Sequence, residues 1–116
     1  GALPICPTRR RAAQARAELA QARSALRLLE DQAVLEVTQC RLAVSRAKEK
    51  VRVAGQAVGL AEENFRVGRE RFRQGVALSA DVLDAEVALL GARMNRTQAE
   101  IDLVLAQARL EKALGL

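Results

Sequence analysis

The sequence predicts an all-α protein, a long antiparallel helical hairpin of coiled-coil type, on three observations. Apolar residues recur at alternating steps of three and four from Ala12 to Phe72. No proline follows Pro7, and one glycine-centred break at Gln74-Gly75 divides the helix-forming sequence in two. Half of the chain is apolar, almost all of it alanine, leucine and valine, with Phe65 and Phe72 the only aromatic residues. Such a chain lacks the bulk for a thick globular centre. Its small apolar faces suit closely spaced helices, and Ala, Leu, Arg, Gln and Glu are strong helix formers.

Taken in order, residues 1–7 are expected to be an extended lead-in, because Pro4 and Pro7 disfavour helix in the residues before them. Thr8 then suits the N-cap of helix one, expected over 8–74. Its apolar stripe runs Ala12, Ala15, Leu19, Ala22, Leu26, Leu29, Ala33, Val37, Cys40, Val44, Ala47, Val51, Ala54, Val58, Ala61, Phe65, Gly68, Phe72. The alternating spacing is a heptad seam. Leu29, Ala33 and Val37 are four and four apart, which makes an eleven-residue step from Leu26 to Val37. A left-handed supercoil should unwind locally there, so the helix should straighten near Ala33.

A tip turn is expected at 75–78, with Gly75 accepting the left-handed conformation just past the helix end. Ser79 caps helix two, expected over 79–114, and Asp81 sits in its first turn, where the helix dipole favours an anion. Gly115 ends that helix as Gly75 ends the first, leaving 115–116 as the C-terminal end. At roughly 1.5 Å per residue helix one is about 100 Å long, and helix two little more than half that. A link this short makes the two run antiparallel.

Helix two carries two apolar lines. One is Leu83, Val87, Leu90, Met94, Thr97, Ile101, Val104, Ala108; the other is Ala85, Leu89, Ala92, Ala99, Leu103, Ala106, Leu110, Ala113, interrupted by Arg96. Leu83 and Ala85 lie about 200° apart around a helix, so the lines fall on nearly opposite faces. Helix one has a second line as well, Leu28, Leu35, Leu42, Val53, Leu60 and Val67. A two-helix hairpin covers one line per helix. The others need further helices, since they would otherwise form apolar patches larger than a soluble monomer tolerates. A closed ring of helices, wet on both surfaces, satisfies the pattern, and so does a self-associated bundle of three or four helices. Leu42, Val53, Leu60, Leu103 and Leu110 are the residues expected to need outside cover.

The formal charge is +5, from 19 basic and 14 acidic residues, and Arg9-Arg10-Arg11 is the only basic run. Elsewhere acids and bases alternate along the helices, which describes solvated faces and no nucleic-acid stripe. Cys6 and Cys40 would lie about 50 Å apart along a helix, so they cannot pair within the chain. Cys40, inside the stripe, reads as a small buried apolar residue. There is no histidine, no CxxC and no glycine-rich phosphate loop. Catalytic, cofactor and metal sites are therefore not expected, and the serines lack a base to activate them. No apolar run approaches 18 residues, so no transmembrane helix is expected, and no signal peptide is visible. An exported protein would contain this chain as a mature or excised piece. Asp81 and Asp84, three apart in a first turn, share one face. They read either as helix-start charges or as an acidic cluster at the hairpin tip.

The stretch Arg71-Phe72-Arg73-Gln74-Gly75-Val76-Ala77-Leu78-Ser79-Ala80-Asp81-Val82-Leu83-Asp84-Ala85 resembles the tip motif of TolC-like outer-membrane efflux proteins. Leu89-Leu90, Ala92-Arg93, Asn95 and the finish Leu110-Glu111-Lys112-Ala113-Leu114-Gly115 extend the resemblance, and that ending is more similar to the second repeat of the family than to the first. The resemblance implies a homotrimer whose chains each carry two repeats of strands plus hairpin. Together these build a β-barrel in the outer membrane, continued by an α-barrel across the periplasm of a Gram-negative bacterium. Such a duct is a passive conduit that works with an inner-membrane pump and a periplasmic adaptor. Only strands absent from this chain would touch the membrane.

The same resemblance puts Phe72, Gly75, Ser79, Asp81 and Asp84 at the entrance, lining the pore or contacting the adaptor. Phe72 stands where tyrosine is more usual, and Ala77 where some relatives have a basic residue. The alternative reading is the coiled-coil hairpin of a periplasmic adaptor, which would be flanked by lipoyl-like β segments and would lack DVLDA after its turn.

Overall fold

The computed structural model describes residues 5–116 of the chain, and side chains from Pro7 onward. Two helices make up its regular structure, α1 (Ile5–Arg73) and α2 (Ser79–Ala113), and no strand occurs among the described residues. The chain divides into two units, Gly1–Thr38 and Gln39–Leu116. The expected helical hairpin is the second of these.

Helix α1 starts earlier than expected. Residues 5–7 of the anticipated lead-in are helical, while residues 1–4 lie outside the described residues. Pro7 therefore sits in the first turn, where its missing N–H has no intrahelical acceptor to lose and its fixed φ suits the helix. Thr8 is consequently within the helix and is not its cap. From there α1 is unbroken to Arg73, through the eleven-residue step around Ala33.

In the first unit every described side chain from residue 7 to 36 is exposed. Side-chain hydrogen bonds here run along the helix surface. Gln14 donates from Nε2 to Glu18 Oε1 at 3.3 Å, and Thr38 Oγ1 donates back to the Val34 carbonyl at 2.8 Å. Such contacts are worth only a few tenths of a kcal/mol each.

In the second unit the stripe of α1 becomes a seam. Val44, Ala47 and Ala106 form a buried cluster, with Leu103 and Leu110 packed against it. From this cluster toward the turn α1 presents Val51, Ala54, Val58, Ala61, Phe65 and Gly68, all buried or half-buried. Read backward, α2 presents Ala99, Arg96, Ala92, Leu89, Ala85 and Val82, again all buried or half-buried. At each step a larger side chain on one helix meets a smaller one on the other. This alternation lets two helices close together while filling the space between them. Arg96 fits the series because its aliphatic stem lies in the seam while its head reaches Glu100 at 3.8 Å.

The seam settles which line of α2 faces inward: the one through Leu89, 6% exposed, and not the one through Leu90, 59% exposed. Leu103 and Leu110 belong to the inner line, so the expectation that they need outside cover is corrected. Leu42, Val53 and Leu60 are indeed exposed, as are Leu83, Val87, Met94, Ile101 and Val104 on α2. Cys40 is a free thiol, half-buried at the end of the seam.

Candidate functional site

Both helices end in the same six-residue lock. At the tip, Val76 N–H donates to the Arg71 carbonyl at 2.9 Å and Gly75 N–H to the Phe72 carbonyl at 2.9 Å. At the other end of α2, Leu116 N–H donates to Glu111 at 2.9 Å and Gly115 N–H to Lys112 at 3.1 Å. The pattern satisfies two orphan carbonyls each time and requires a left-handed residue, here Gly75 and Gly115, each at φ +79°. A Cβ at Gly75 would meet no atom within 4 Å, so conformation and not space selects glycine there.

After the turn the chain enters α2 through Leu78, whose backbone is extended at φ −81° and ψ 153°. Leu78 is therefore the cap, and Ser79, expected in that position, is the first helical residue. Leucine has no side-chain acceptor to offer the helix start. Asp81 supplies the reciprocal half of a capping box instead, because its Oδ2 accepts the Leu78 N–H at 3.2 Å. That role was not legible from spacing alone, since the sequence placed the cap one residue later.

The remaining tip residues are displayed to solvent. Phe72 is 49% exposed, Val76 64% and Leu78 71%, and Ser79, Asp81 and Asp84 are exposed as well. Asp84, one helical turn on from Ala80, has no ion-pair partner among the described residues. The tip thus presents an apolar apex of Phe72, Val76 and Leu78, with the Asp81 carboxylate on the first turn of α2 and that of Asp84 on the next. On the α1 side lie Arg71 and Arg73, the latter 3.6 Å from Glu70. Arg69 stacks over Phe65 at 5.5 Å from the ring centre.

Behind the tip, Arg93 of α2 reaches Glu62 of α1 at 3.6 Å, the one ion pair that joins the two helices among the described residues. Sequence reading missed it, because acids and bases alternate everywhere and only the register shows which two meet. An open groove beside it is lined by Glu62, Phe65, Glu86, Leu89, Leu90 and Arg93. No group of three or more potential metal ligands occurs among the described residues, and no helix there is long and apolar enough to cross a membrane.

The family model for outer membrane efflux proteins matches residues 6–116. Comparison with curated proteins and with solved structures gives no match. Proteins of the matching family are trimeric transport channels of the Gram-negative outer membrane, not enzymes. With that match spanning both helices and the turn between them, the chain belongs to the outer membrane efflux protein family.

Proposed function

We propose that this hairpin is a wall segment of the periplasmic α-barrel of a trimeric efflux duct, with its tip at the periplasmic entrance. The duct would be a passive conduit, opened toward an inner-membrane pump and a periplasmic adaptor. The observation that carries this reading is the pair of uncovered apolar lines on opposite sides of the hairpin. Leu83, Val87, Leu90, Met94, Ile101 and Val104 run along α2, and Leu42, Val53, Leu60 and Val67 run along α1. A helix with apolar contacts on two sides and charged arcs between them suits a ring in which each helix has two neighbours. The family match supports the ring over a self-associated bundle and over an adaptor hairpin.

On this reading Phe72, Gly75, Ser79, Asp81 and Asp84 form the entrance. Three copies would crowd carboxylates around one opening, where they attract cations and resist closure unless counter-ions screen them. The test is planar-bilayer conductance and cation block of the trimeric channel with both aspartates replaced. Asp81→Asn is the better substitution, since it removes charge while keeping an acceptor for the Leu78 N–H. Paired with Asp84→Asn, it should weaken cation block and change conductance. Unchanged conductance and block would make the two residues helix-start charges only.

A further inference from the structure

Poor helix formers gather at one level of the hairpin. On α1 they are Gly55 and Gly59, and on α2 they are Gly91, Asn95 and Thr97. In a helix interior glycine weakens the helical state about fivefold against alanine, and asparagine and threonine also rank low. Thr97 adds a second local loss. Its Oγ1 donates to the Arg93 carbonyl at 3.1 Å, a back-bond that competes with the helix ladder and bends helices. Packing within the chain does not call for the glycines. A Cβ at Gly55, Gly59 or Gly91 would meet nothing within 4 Å.

The two weak stretches lie side by side. In the reversed series of the seam Ala54 comes level with Arg96 and Val58 with Ala92, and Asn95 lines one groove with Val53, Ala54 and Ala57. Val58, between the two glycines of α1, is only 2% exposed. Opening α1 at this level withdraws Val58 from the seam and uncovers α2 beside Gly91. Gly68, nearer the turn, supplies a contrast. It comes level with Val82, and residues 82–86 of α2 contain no glycine, asparagine or threonine.

We propose that residues 55–59 and 91–97 form one joint, at which the two helices open and bend together, coupled through Val58. The joint divides the hairpin into a tip segment, which carries the turn, and a base segment, which carries the Val44, Ala47 and Ala106 cluster. It is a property of the hairpin itself, and it goes beyond the duct reading without depending on it.

Amide hydrogen exchange of the whole chain, in the regime where the opening equilibrium sets the rate, tests the proposal. Residues 55–59 and 91–97 should exchange about fivefold or more faster than the seam on either side, at 47–51 and 61–65. Gly59→Ala enters open space, so the fold is retained, and it should slow exchange about fivefold in both stretches. Gly91→Ala should do the same in reverse, slowing 55–59 along with its own helix. Gly68→Ala is the control and should slow α1 alone. Exchange at the two stretches no faster than in the flanking seam overturns the joint. So does slowing confined to the substituted helix, and so does an equal effect of Gly68→Ala on α2.

Discussion

Residues 12–36 and residues 37–72 of α1 have the same kind of sequence and opposite surroundings. Each carries alanine and a larger aliphatic residue at heptad spacing, and each lies in one continuous helix. Yet Leu26 is 56% exposed while Val58 is 2% exposed. Within the second unit α2 supplies the covered stretch with a reversed copy of its size alternation. A heptad pattern therefore states what a helix can bury. It does not state what buries it, and the stability of each stretch follows its partner more than its propensity.

The comparison is broken most forcefully by placing a charge in each stretch. Val58→Asp puts an unpaired carboxylate into the tightest part of the seam and should cost about 3 kcal/mol or more in denaturant unfolding of the chain. Leu29→Asp in the uncovered stretch should change the same measurement by less than about 0.5 kcal/mol. Equal losses would mean that the uncovered stretch is packed on something in solution.

A sharper version uses two adjacent residues on opposite faces of α2. Leu89→Ala should destabilise the hairpin by about 2 kcal/mol, the low end for buried leucine, because a two-helix seam leaves little cavity behind. Leu90→Ala, one residue on and 59% exposed, should be close to neutral. If Leu90→Ala were the costlier change, the inner and outer lines of α2 would be exchanged.

Much of this was legible in the sequence, and the failures have identifiable causes. The stripe from Cys40 to Gly68 is the seam residue for residue, because a period of three and four fixes a face without any knowledge of the partner. Gly75 was legible because few residues adopt positive φ at a helix end. The inward line of α2 was not chosen in advance, since both lines have the right period. Only the size match with α1 separates them, and that needs a register. Leu103 and Leu110 were consequently expected to lie on an open face. The N-terminal boundary was misplaced because proline breaks a helix interior but is tolerated in a first turn. At the tip, the cap was assigned to Ser79 by residue type, whereas the turn geometry puts Leu78 in the extended position, with Asp81 accepting its N–H.

The two glycine locks give a smaller contrast between the turn and the end of α2. Gly75→Ala should cost about 1 kcal/mol, the penalty of a Cβ in the left-handed region, in unfolding measurements. Gly115→Ala carries the same local strain at the same φ of +79°. It should cost clearly less, because the last turn can fray without separating the helices. Equal costs would show that the end of α2 is held as firmly as the turn.

The smallest expected effect compares the hairpin above and below the carboxylate range. Glu49 and Glu63 are held below the usual carboxylate range, chiefly by the side-chain hydrogen bonds they accept from Arg52 and Arg66, at 2.9 Å and 3.0 Å from the Nε atoms. The same contacts raise the two arginines, which stay charged throughout the accessible range. A carboxylate whose folded-state pKa is depressed adds stability above its ordinary value. It loses that contribution as the pH falls through the folded-state value. Thermal unfolding followed by circular dichroism should therefore show stability declining slightly on acidification below the ordinary glutamate range, with the decline reduced in high salt. Both pairs lie on the exposed surface of α1, so solvent screening keeps the effect small. Glu49→Gln with Glu63→Gln should flatten that acid limb while leaving the seam intact. A limb unchanged by the double substitution would assign the acid sensitivity to carboxylates other than Glu49 and Glu63.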